Sequence, residues 1–133
     1  MPLSLEIVTP EQRVLTVQCD EVQLPGSEGG FGVRPGHTPL VAALAAGELA
    51  YLTSGARHRY AVGEGFAEVS NDRVRVLVEE AIRAEELDAA AVASDLADRT
   101  RKFEGMKPDD PAYDLERAKV ARAAARALVA GRR

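Results

Sequence analysis

The stretch from Leu24 to Leu40, LPGSEGGFGVRPGHTPL, concentrates the residue types of this chain that could take part in chemistry. It contains five glycines and one histidine, His37. Glycine-rich loops that precede a helix bind phosphate through their backbone amides, and a histidine can act as a general acid or base. The stretch is therefore a candidate phosphate site or a candidate acid–base site.

The neighbouring residues support neither kind of site. The loop lacks a Lys-Ser/Thr ending, it leads into a strand-like segment, and Glu28 would repel a phosphate. His37 and His58 have no metal ligands at a suitable spacing, and the sequence has no G-x-S-x-G nucleophile motif. Glu79 and Glu80 are adjacent at a strand end and point to opposite sides, so they do not form a carboxylate pair. The sequence therefore predicts a protein without catalytic residues, a metal site or a cofactor.

Composition and charge exclude further classes of protein. The chain has 133 residues, of which 46% are hydrophobic, and its net charge of −4 argues against a nucleic-acid binder. The single cysteine, Cys19, cannot form an internal disulfide, and its place in a strand predicts a small buried hydrophobe. The sequence has no basic leader and no run of the roughly 20 apolar residues that a membrane span needs. We expect a soluble, cytoplasmic protein that does not itself insert into a membrane.

Hydrophobic residues alternate with polar ones in the first 83 residues, which is typical of half-buried strands. The segment RVRVLV, for example, places Val74, Val76 and Val78 on one face. Turn signals separate the strand-like runs at intervals typical of antiparallel sandwiches and barrels. The clearest predicted hairpin joins FAEVS to RVRVLV through Asn71 and Asp72.

The pattern changes to a helical one in residues 84–133. The segment AEELDAAAVASDLADRTRKF begins with acidic residues and ends with basic ones, which suits the helix dipole, and Gly105 is a plausible end. Asp110 and Pro111 predict the N-cap and first residue of a second helix that ends near Val129. The apolar stripes are thin and rich in alanine. They comprise Ala89, Val92, Leu96 and Phe103 in the first helix, and Leu115, Ala118, Ala121, Ala125 and Leu128 in the second.

Such a helical hairpin buries little apolar area, so we expect it to depend on docking against the sheet domain or a partner. An element held this weakly is a candidate conformational switch. The second helix and the residues after it carry a net charge of +4, with six basic residues and two acidic ones. This charge fits either a solvated helix face or contact with an acidic partner. The basic residues are Arg117, Lys119, Arg122, Arg126, Arg132 and Arg133.

Three segments in this order resemble the epsilon subunit of bacterial F-type ATP synthases over essentially the full length. They are LEIVTPEQRV, DEVQLPGSEGGFGVRPGHTPL and YAVGEGFAEVSNDRVRVLVEEAIRAEELD. The resemblance implies a flattened ten-stranded antiparallel β-sandwich in residues 1–83 and a two-helix hairpin in residues 84–133. It also implies a non-catalytic rotor subunit in the central stalk that couples proton flow to ATP synthesis. Such a subunit is peripheral, at the cytoplasmic face of the bacterial cell membrane.

The resemblance also implies partners and the residues that meet them. The sandwich would bind the gamma subunit and the ring of c subunits. The extended hairpin would meet the catalytic alpha/beta head and inhibit hydrolysis, with Arg117, Lys119, Arg122 and Arg126 as its contacts. The c-ring contact maps onto Ser27, Glu28, Gly29, Gly30 and Phe31, where many relatives have an acid in place of Gly30. His37 maps to the gamma contact, and Glu79 and Arg83 map to the junction between the two domains.

Some relatives bind ATP through a motif written I/L-D-x-x-R-A at the start of the first helix. This chain keeps Leu87 and Asp88 but has Ala91 in place of the arginine and Val92 in place of the alanine. A guanidinium is the group that would pair with phosphate charge. We therefore expect weak or absent ATP binding. A nucleotide-binding sensor, a small enzyme using His37 with Glu28, and an unrelated adaptor protein remain as alternatives.

Overall fold

The computed structural model describes residues 2–132, which form ten β-strands followed by two α-helices. The strands are Leu3–Val8 (β1), Arg13–Cys19 (β2), Glu21–Leu24 (β3), Phe31–Val33 (β4), Leu40–Leu44 (β5), Gly47–Thr53 (β6), Ala56–Val62 (β7), Gly65–Ser70 (β8), Arg73–Val78 (β9) and Ala81–Arg83 (β10). A short 3-10 turn, Ala84–Glu86, leads to the helices Ala89–Glu104 (α1) and Tyr113–Ala130 (α2). Arg133, one of the predicted C-terminal basic residues, lies outside the described residues.

The strands form two five-stranded sheets that pack as a sandwich. The first sheet has the order β2-β1-β9-β8-β5, and the second has the order β10-β7-β6-β3-β4. The predicted β-sandwich followed by a helical hairpin is therefore confirmed. One pair departs from the antiparallel rule, since β1 runs parallel to β9, with Leu5 opposite Val74. This pairing joins the start of the chain to residues about seventy positions later, so no local pattern could predict it.

The hairpin between β8 and β9 forms where the sequence predicts it. Asn71 and Asp72 connect the strands with φ angles of 51° and 60°, the left-handed conformation that two-residue hairpin turns require. The side chains of β9 alternate strictly, with Val74, Val76 and Val78 buried and the residues between them exposed. The period of two in the sequence thus gives the face that each side chain occupies.

The main core lies between the two sheets and is built from branched aliphatic side chains, including the fully buried Leu3, Leu5 and Ile7 of β1. Cys19 belongs to this core, as predicted, and burial raises the pKa of its thiol to about 11. A second, smaller cluster joins the sandwich to the helices. It consists of Ala61, Ala84, Leu87, Val129 and Ala130, with Ile82 and Val92 partly buried against it.

Both helices begin later than the sequence predicts. Glu85 and Glu86 lie in the 3-10 turn, and α1 starts after Asp88, whose side chain accepts a hydrogen bond of 2.9 Å from the Ala91 amide. The predicted N-cap Asp110 is wrong, because its carboxylate accepts from the Ala112 amide at 2.8 Å within a turn. The helix then begins at Tyr113. Gly105 does end α1, as predicted.

Of the stripe predicted for α2, only Ala125 is fully buried. Leu115 and Leu128 are 55% and 45% exposed, and the buried residues are Ala123, Ala125, Val129 and Ala130. The helix packs on β6 and β7, where Ala61 belongs to the contact cluster. Small side chains on both surfaces allow the helix to lie close to the sheet, whereas a leucine there would hold it away.

Residues 2–132 include no helix with the length and hydropathy that a membrane span requires. The same part of the chain contains no group of three or more His, Cys, Asp or Glu side chains placed to hold a metal ion.

Candidate functional site

The glycine-rich loop between β3 and β4 is a tight, exposed turn held at its base. The Ser27 amide donates to the Ala43 carbonyl at 2.9 Å, and the Gly29 amide donates to the Gly26 carbonyl at 3.0 Å. Ser27, Glu28, Gly29 and Gly30 are exposed. These bonds leave the amides of Ser27 and Gly29 unavailable to a phosphate, so the loop is not a phosphate cradle. Its exposed tip is instead a surface that another protein can contact.

Phe31 connects this loop to the core, because its ring is half-buried and packs against the main cluster. Gly26 lies directly under the loop, where an added Cβ would stand 2.4 Å from the Gly29 carbonyl oxygen and 3.0 Å from Cδ1 of Phe31. No larger residue fits at position 26 unless the turn opens. The tip therefore has a defined shape although its residues are exposed.

His37 lies in the next loop, between β4 and β5, beside a shallow cavity of about 470 Å³. Its ring Nδ1 is 2.7 Å from the Thr38 carbonyl oxygen, so this nitrogen carries the proton and donates it. The loop is tied to the β8–β9 turn through the Gly36 amide, which donates to the Asp72 carboxylate at 2.7 Å. The ring is thus oriented by its own loop, which suits a contact residue better than a general base.

Glu21 and Arg34 form the other wall of this cavity. Arg34 Nε donates to Glu21 Oε1 at 2.6 Å, and Gln23 donates to Glu21 Oε2 at 2.9 Å. The hydrogen bond from Arg34 is the main cause of a pKa below the ordinary range for Glu21, and the bond from Gln23 adds to it. The ionised carboxylate of Glu21 therefore ties Arg34, the first residue of the His37 loop, to β3.

A third polar region lies where α2 meets the sandwich. Two turns of the sandwich meet there, because the Gly63 amide donates to the Glu80 carbonyl at 2.9 Å and the Glu79 amide donates to the Glu64 carbonyl at 3.1 Å. These bonds place the Glu64 and Glu80 side chains near the arginines of α2. We call the residues Glu64, Glu80, Asp95, Arg99, Arg122 and Arg126 the junction network.

Ion pairs join the members of the junction network. Arg122 Nε lies 3.1 Å from Glu64 Oε1, and Arg126 Nη1 lies 2.5 Å from Glu80 Oε2. Arg126 Nη2 is also 3.3 Å from Oδ2 of Asp95 in α1. Beyond the end of α2, Arg132 pairs with Glu48 of β6 at 3.3 Å. The basic face of α2 is therefore neutralised by carboxylates of this chain while the hairpin is docked.

Among residues 2–132, neither of the predicted junction residues Glu79 and Arg83 forms an ion pair with α1 or α2. Glu79 is exposed, and Arg83 pairs at 3.1 Å with Glu86 of the 3-10 turn. Glu80 takes the place expected for Glu79, because adjacent residues of an extended chain point to opposite sides. The spacing of Arg122 and Arg126, four residues apart and so on one helix face, is the signal that could have located the contact.

The two other predicted contact residues of α2 pair within the helix. Arg117 is exposed and lies 3.5 Å from Asp114, and Lys119 lies 3.4 Å from Glu116. Both pairs have the i, i+3 spacing of surface helix pairs, which contribute little stability. Arg117 and Lys119 therefore play no part in holding the hairpin on the sandwich.

Leu87 and Asp88, the residues retained from the nucleotide motif, both have structural roles. Leu87 is buried in the smaller cluster, and Asp88 caps α1. A cavity of about 200 Å³ near the junction is lined by Glu80, Arg99, Lys119, Arg122 and Arg126. Each of these four basic side chains already pairs with a carboxylate, so the cavity offers a phosphate no unpaired guanidinium or ammonium group.

The end of α2 lies beside the glycine-rich loop. Leu128 and Arg132 share a cavity of about 620 Å³ with Gly30 and Phe31. A protein that contacts the loop tip from this side would also meet the last turn of α2.

Comparison with known proteins gives consistent matches. Residues 2–84 match the family model described as ATP synthase, Delta/Epsilon chain, beta-sandwich domain. The ATP synthase epsilon chain of Anaeromyxobacter sp. (strain K) is 47% identical over 99% of this chain and 100% of its own length. The ATP synthase epsilon chain of Myxococcus xanthus (strain DK1622) is 44% identical over 93% of this chain and 91% of its own length.

Two solved assemblies contain chains of the same fold. One is the Euglena gracilis mitochondrial ATP synthase, OSCP/F1/c-ring, with a TM-score of 0.79 and 24% identity over 99% of this chain and 82% of that chain. The other is the central stalk/c-ring of the Tetrahymena thermophila mitochondrial ATP synthase, with a TM-score of 0.67 and 13% identity over 98% and 97% of the two chains. At these identities the likeness shows the fold of the chain.

Proposed function

The chain belongs to the family of ATP synthase epsilon chains, and we propose that it works in the central stalk of that complex as a non-catalytic rotor subunit. It would couple proton flow through the c-ring to ATP synthesis carried out by other subunits. The observation that carries this proposal is the 47% identity to an ATP synthase epsilon chain over 99% of the chain, which covers the sandwich and both helices.

We propose two contact regions on the sandwich. The tip of the glycine-rich loop, Ser27–Phe31, would contact the c-ring, and the loop that carries His37 would contact the gamma subunit. Their geometry supports this assignment, because both loops are accessible and both are held by hydrogen bonds to the sandwich. Rigid exposed loops lose little conformational entropy when they bind. Glu28 is the acidic side chain of the loop tip that would meet the ring.

The assembly proposal is tested by co-purification. A tagged copy is expected to bring down the gamma and c subunits from solubilised membranes of the source cells, at the cytoplasmic face where we place it. The same chain with Gly26→Ala, whose loop cannot close, is expected to recover less of the c subunit. A tagged chain that runs alone, while the synthase assembles without it, would contradict the proposal and favour an adaptor role.

We further propose that the hairpin of α1 and α2 inhibits ATP hydrolysis when it leaves the sandwich and meets the catalytic head. The weak attachment of α1 and the paired basic residues of α2 support this role, since Arg122 and Arg126 become available to an acidic surface only after undocking. Removal of residues 84–133 is expected to raise ATPase activity and to leave assembly intact. An unchanged rate of hydrolysis in an assembled complex would remove the inhibitory role and leave the rotor role standing.

A further inference from the structure

The two helices of the hairpin are attached to the sandwich very differently. Helix α2 buries four residues and lies on β6 and β7. Helix α1 lies entirely within the described residues and buries none of its own, and its main contact is α2. Its one apolar contact with the smaller cluster is made by Val92, which is half-buried. The rings of Phe103 and Tyr113, with centroids 4.8 Å apart, hold α1 on α2 but not on the sandwich. Polar contacts must therefore provide much of what fixes α1 to the sandwich.

Arg126 is placed to provide such a contact. Its Nη1 bonds Glu80 of the sandwich at 2.5 Å, and its Nη2 bonds Asp95 of α1 at 3.3 Å. The two bonds use different nitrogens of a planar guanidinium, so both form at once. The Arg126 side chain is only 17% exposed, and partial burial weakens the competition from water and salt. One side chain of α2 thus connects the sandwich to α1.

Asp95 is held in its ionised form for this contact. Arg99, four residues later in α1, donates to it at 3.0 Å. That hydrogen bond is the main cause of a lowered pKa of Asp95, and Arg126 lowers it further. Breaking the bond between Asp95 and Arg126 would leave α2 in place, because α2 keeps its pairs with Glu64 and Glu80 and its buried residues.

We propose that Arg126 is the residue that ties α1 to the sandwich, and that the hairpin opens in two steps in which α1 leaves before α2. The first step breaks the Asp95–Arg126 bond, the Val92 contact and the packing of α1 on α2, which includes the ring contact between Phe103 and Tyr113. The second step breaks the remaining ion pairs of the junction network and exposes the smaller cluster. The order of opening is a property of the chain alone, and it holds whether or not the proposed inhibition occurs.

Amide hydrogen exchange of the full-length chain, followed by mass spectrometry, tests this order. A helix that loses its packing partner is marginal in water, so its amides exchange faster once it detaches. In the unmodified chain, residues 89–104 are expected to exchange faster than residues 113–130. Asp95→Asn is expected to accelerate exchange in residues 89–104 by about two- to five-fold, the effect of losing one partly exposed ion pair. Residues 113–130 are expected to be unaffected by this change.

Three further variants separate the tie through Arg126 from a general charge effect, from the stability of α1 alone and from the loosening of α2. Asp98→Asn removes the same charge from α1, but its partner Arg101 is exposed on the same helix, so no acceleration of this size is expected. Arg99→Gln removes the intrahelical partner of Asp95 and keeps Arg126, so its effect is expected to be smaller than that of Asp95→Asn. Glu80→Gln is expected to accelerate exchange in both helices, because it loosens α2 as well.

Three results would overturn the inference. Equal acceleration of both helices by Asp95→Asn would mean that the hairpin opens in a single step. If Asp98→Asn accelerated exchange in residues 89–104 as much as Asp95→Asn, the loss of a negative charge on α1 would explain the acceleration and the bond to Arg126 would not. An effect of Arg99→Gln equal to that of Asp95→Asn would assign the change to the stability of α1 by itself.

Discussion

Gly63 faces Arg122 across the contact between the sandwich and α2. A Cβ added to Gly63 would lie 3.3 Å from Cδ of Arg122, 3.3 Å from Cβ of Glu79 and 3.3 Å from the backbone nitrogen of Glu80. The glycine therefore leaves the space through which Arg122 reaches Glu64. The absence of a side chain at one position in the β7–β8 turn allows an ion pair that holds the hairpin.

Gly63→Ala is expected to loosen α2 without unfolding the sandwich. The added methyl must displace both the flexible Arg122 side chain and the Glu79–Glu80 segment by a few tenths of an ångström. We therefore expect the free energy of unfolding to fall by roughly 1–3 kcal/mol, as is typical of overpacking. Hydrogen exchange in residues 113–130 should become faster while exchange in β1 and β9 stays constant. Gly105→Ala is the control, since its Cβ would meet only the Lys102 carbonyl at 3.7 Å. Unchanged exchange in α2 would show that Arg122 does not depend on this space.

Gly26→Ala is expected to disrupt the glycine-rich loop. The added Cβ would stand 2.4 Å from the Gly29 carbonyl oxygen, and backbone atoms cannot yield as a flexible side chain can. We expect a loss of about 1–3 kcal/mol in the free energy of unfolding, measured by urea titration. Gly30→Ala is the control in the same loop, because its nearest contact would be an ordinary 3.6 Å. Equal stability of the two variants would contradict the proposed geometry of the turn.

The Glu21–Arg34 pair predicts a pH dependence of stability. The folded pKa of Glu21 lies below its ordinary value of 4.5, so the folded state favours the charged form. The resulting stability is fully present above about pH 4.5 and is lost as the pH falls through the folded pKa. The stability difference between the unmodified chain and Glu21→Gln should therefore shrink on acidification. A difference that grows on acidification would refute the assignment.

The isolated chain is expected not to bind ATP with micromolar affinity. Ala91 stands where the motif of some relatives has an arginine, and the basic side chains around the nearby cavity are already paired with carboxylates. Isothermal titration of the full chain with ATP and magnesium should give no saturable heat at micromolar ligand. The Asp95→Asn variant serves as a comparison, since it frees part of Arg126. Micromolar binding by the unmodified chain would show that the pairs of the junction network open for nucleotide.

The candidate sites differ in how far the sequence could predict them. The loop tip from Ser27 to Gly30 is exposed as expected, because its glycines and turn residues are a local signal. The sequence predicts Glu79 at the junction between sandwich and helices, and the adjacent Glu80 is the residue that pairs with Arg126 of α2. No local signal in the sequence points to Asp95 or Glu64, since they meet Arg126 and Arg122 only after α1, α2 and the β7–β8 turn have come together.

The sequence by itself determined the elements of this protein and the family to which it belongs. Alternation in residues such as Val74, Val76 and Val78 assigned a face to each side chain, because a strand has a period of two whatever it packs against. The tertiary structure alone decided the parallel pairing of β1 with β9, the alanine face on which α2 docks, and the carboxylates that receive its arginines. All three features depend on contacts between segments that are far apart in the sequence. Their geometry follows from how closely the backbones of those segments approach, and the hydrophobic period of one segment carries no information about that distance.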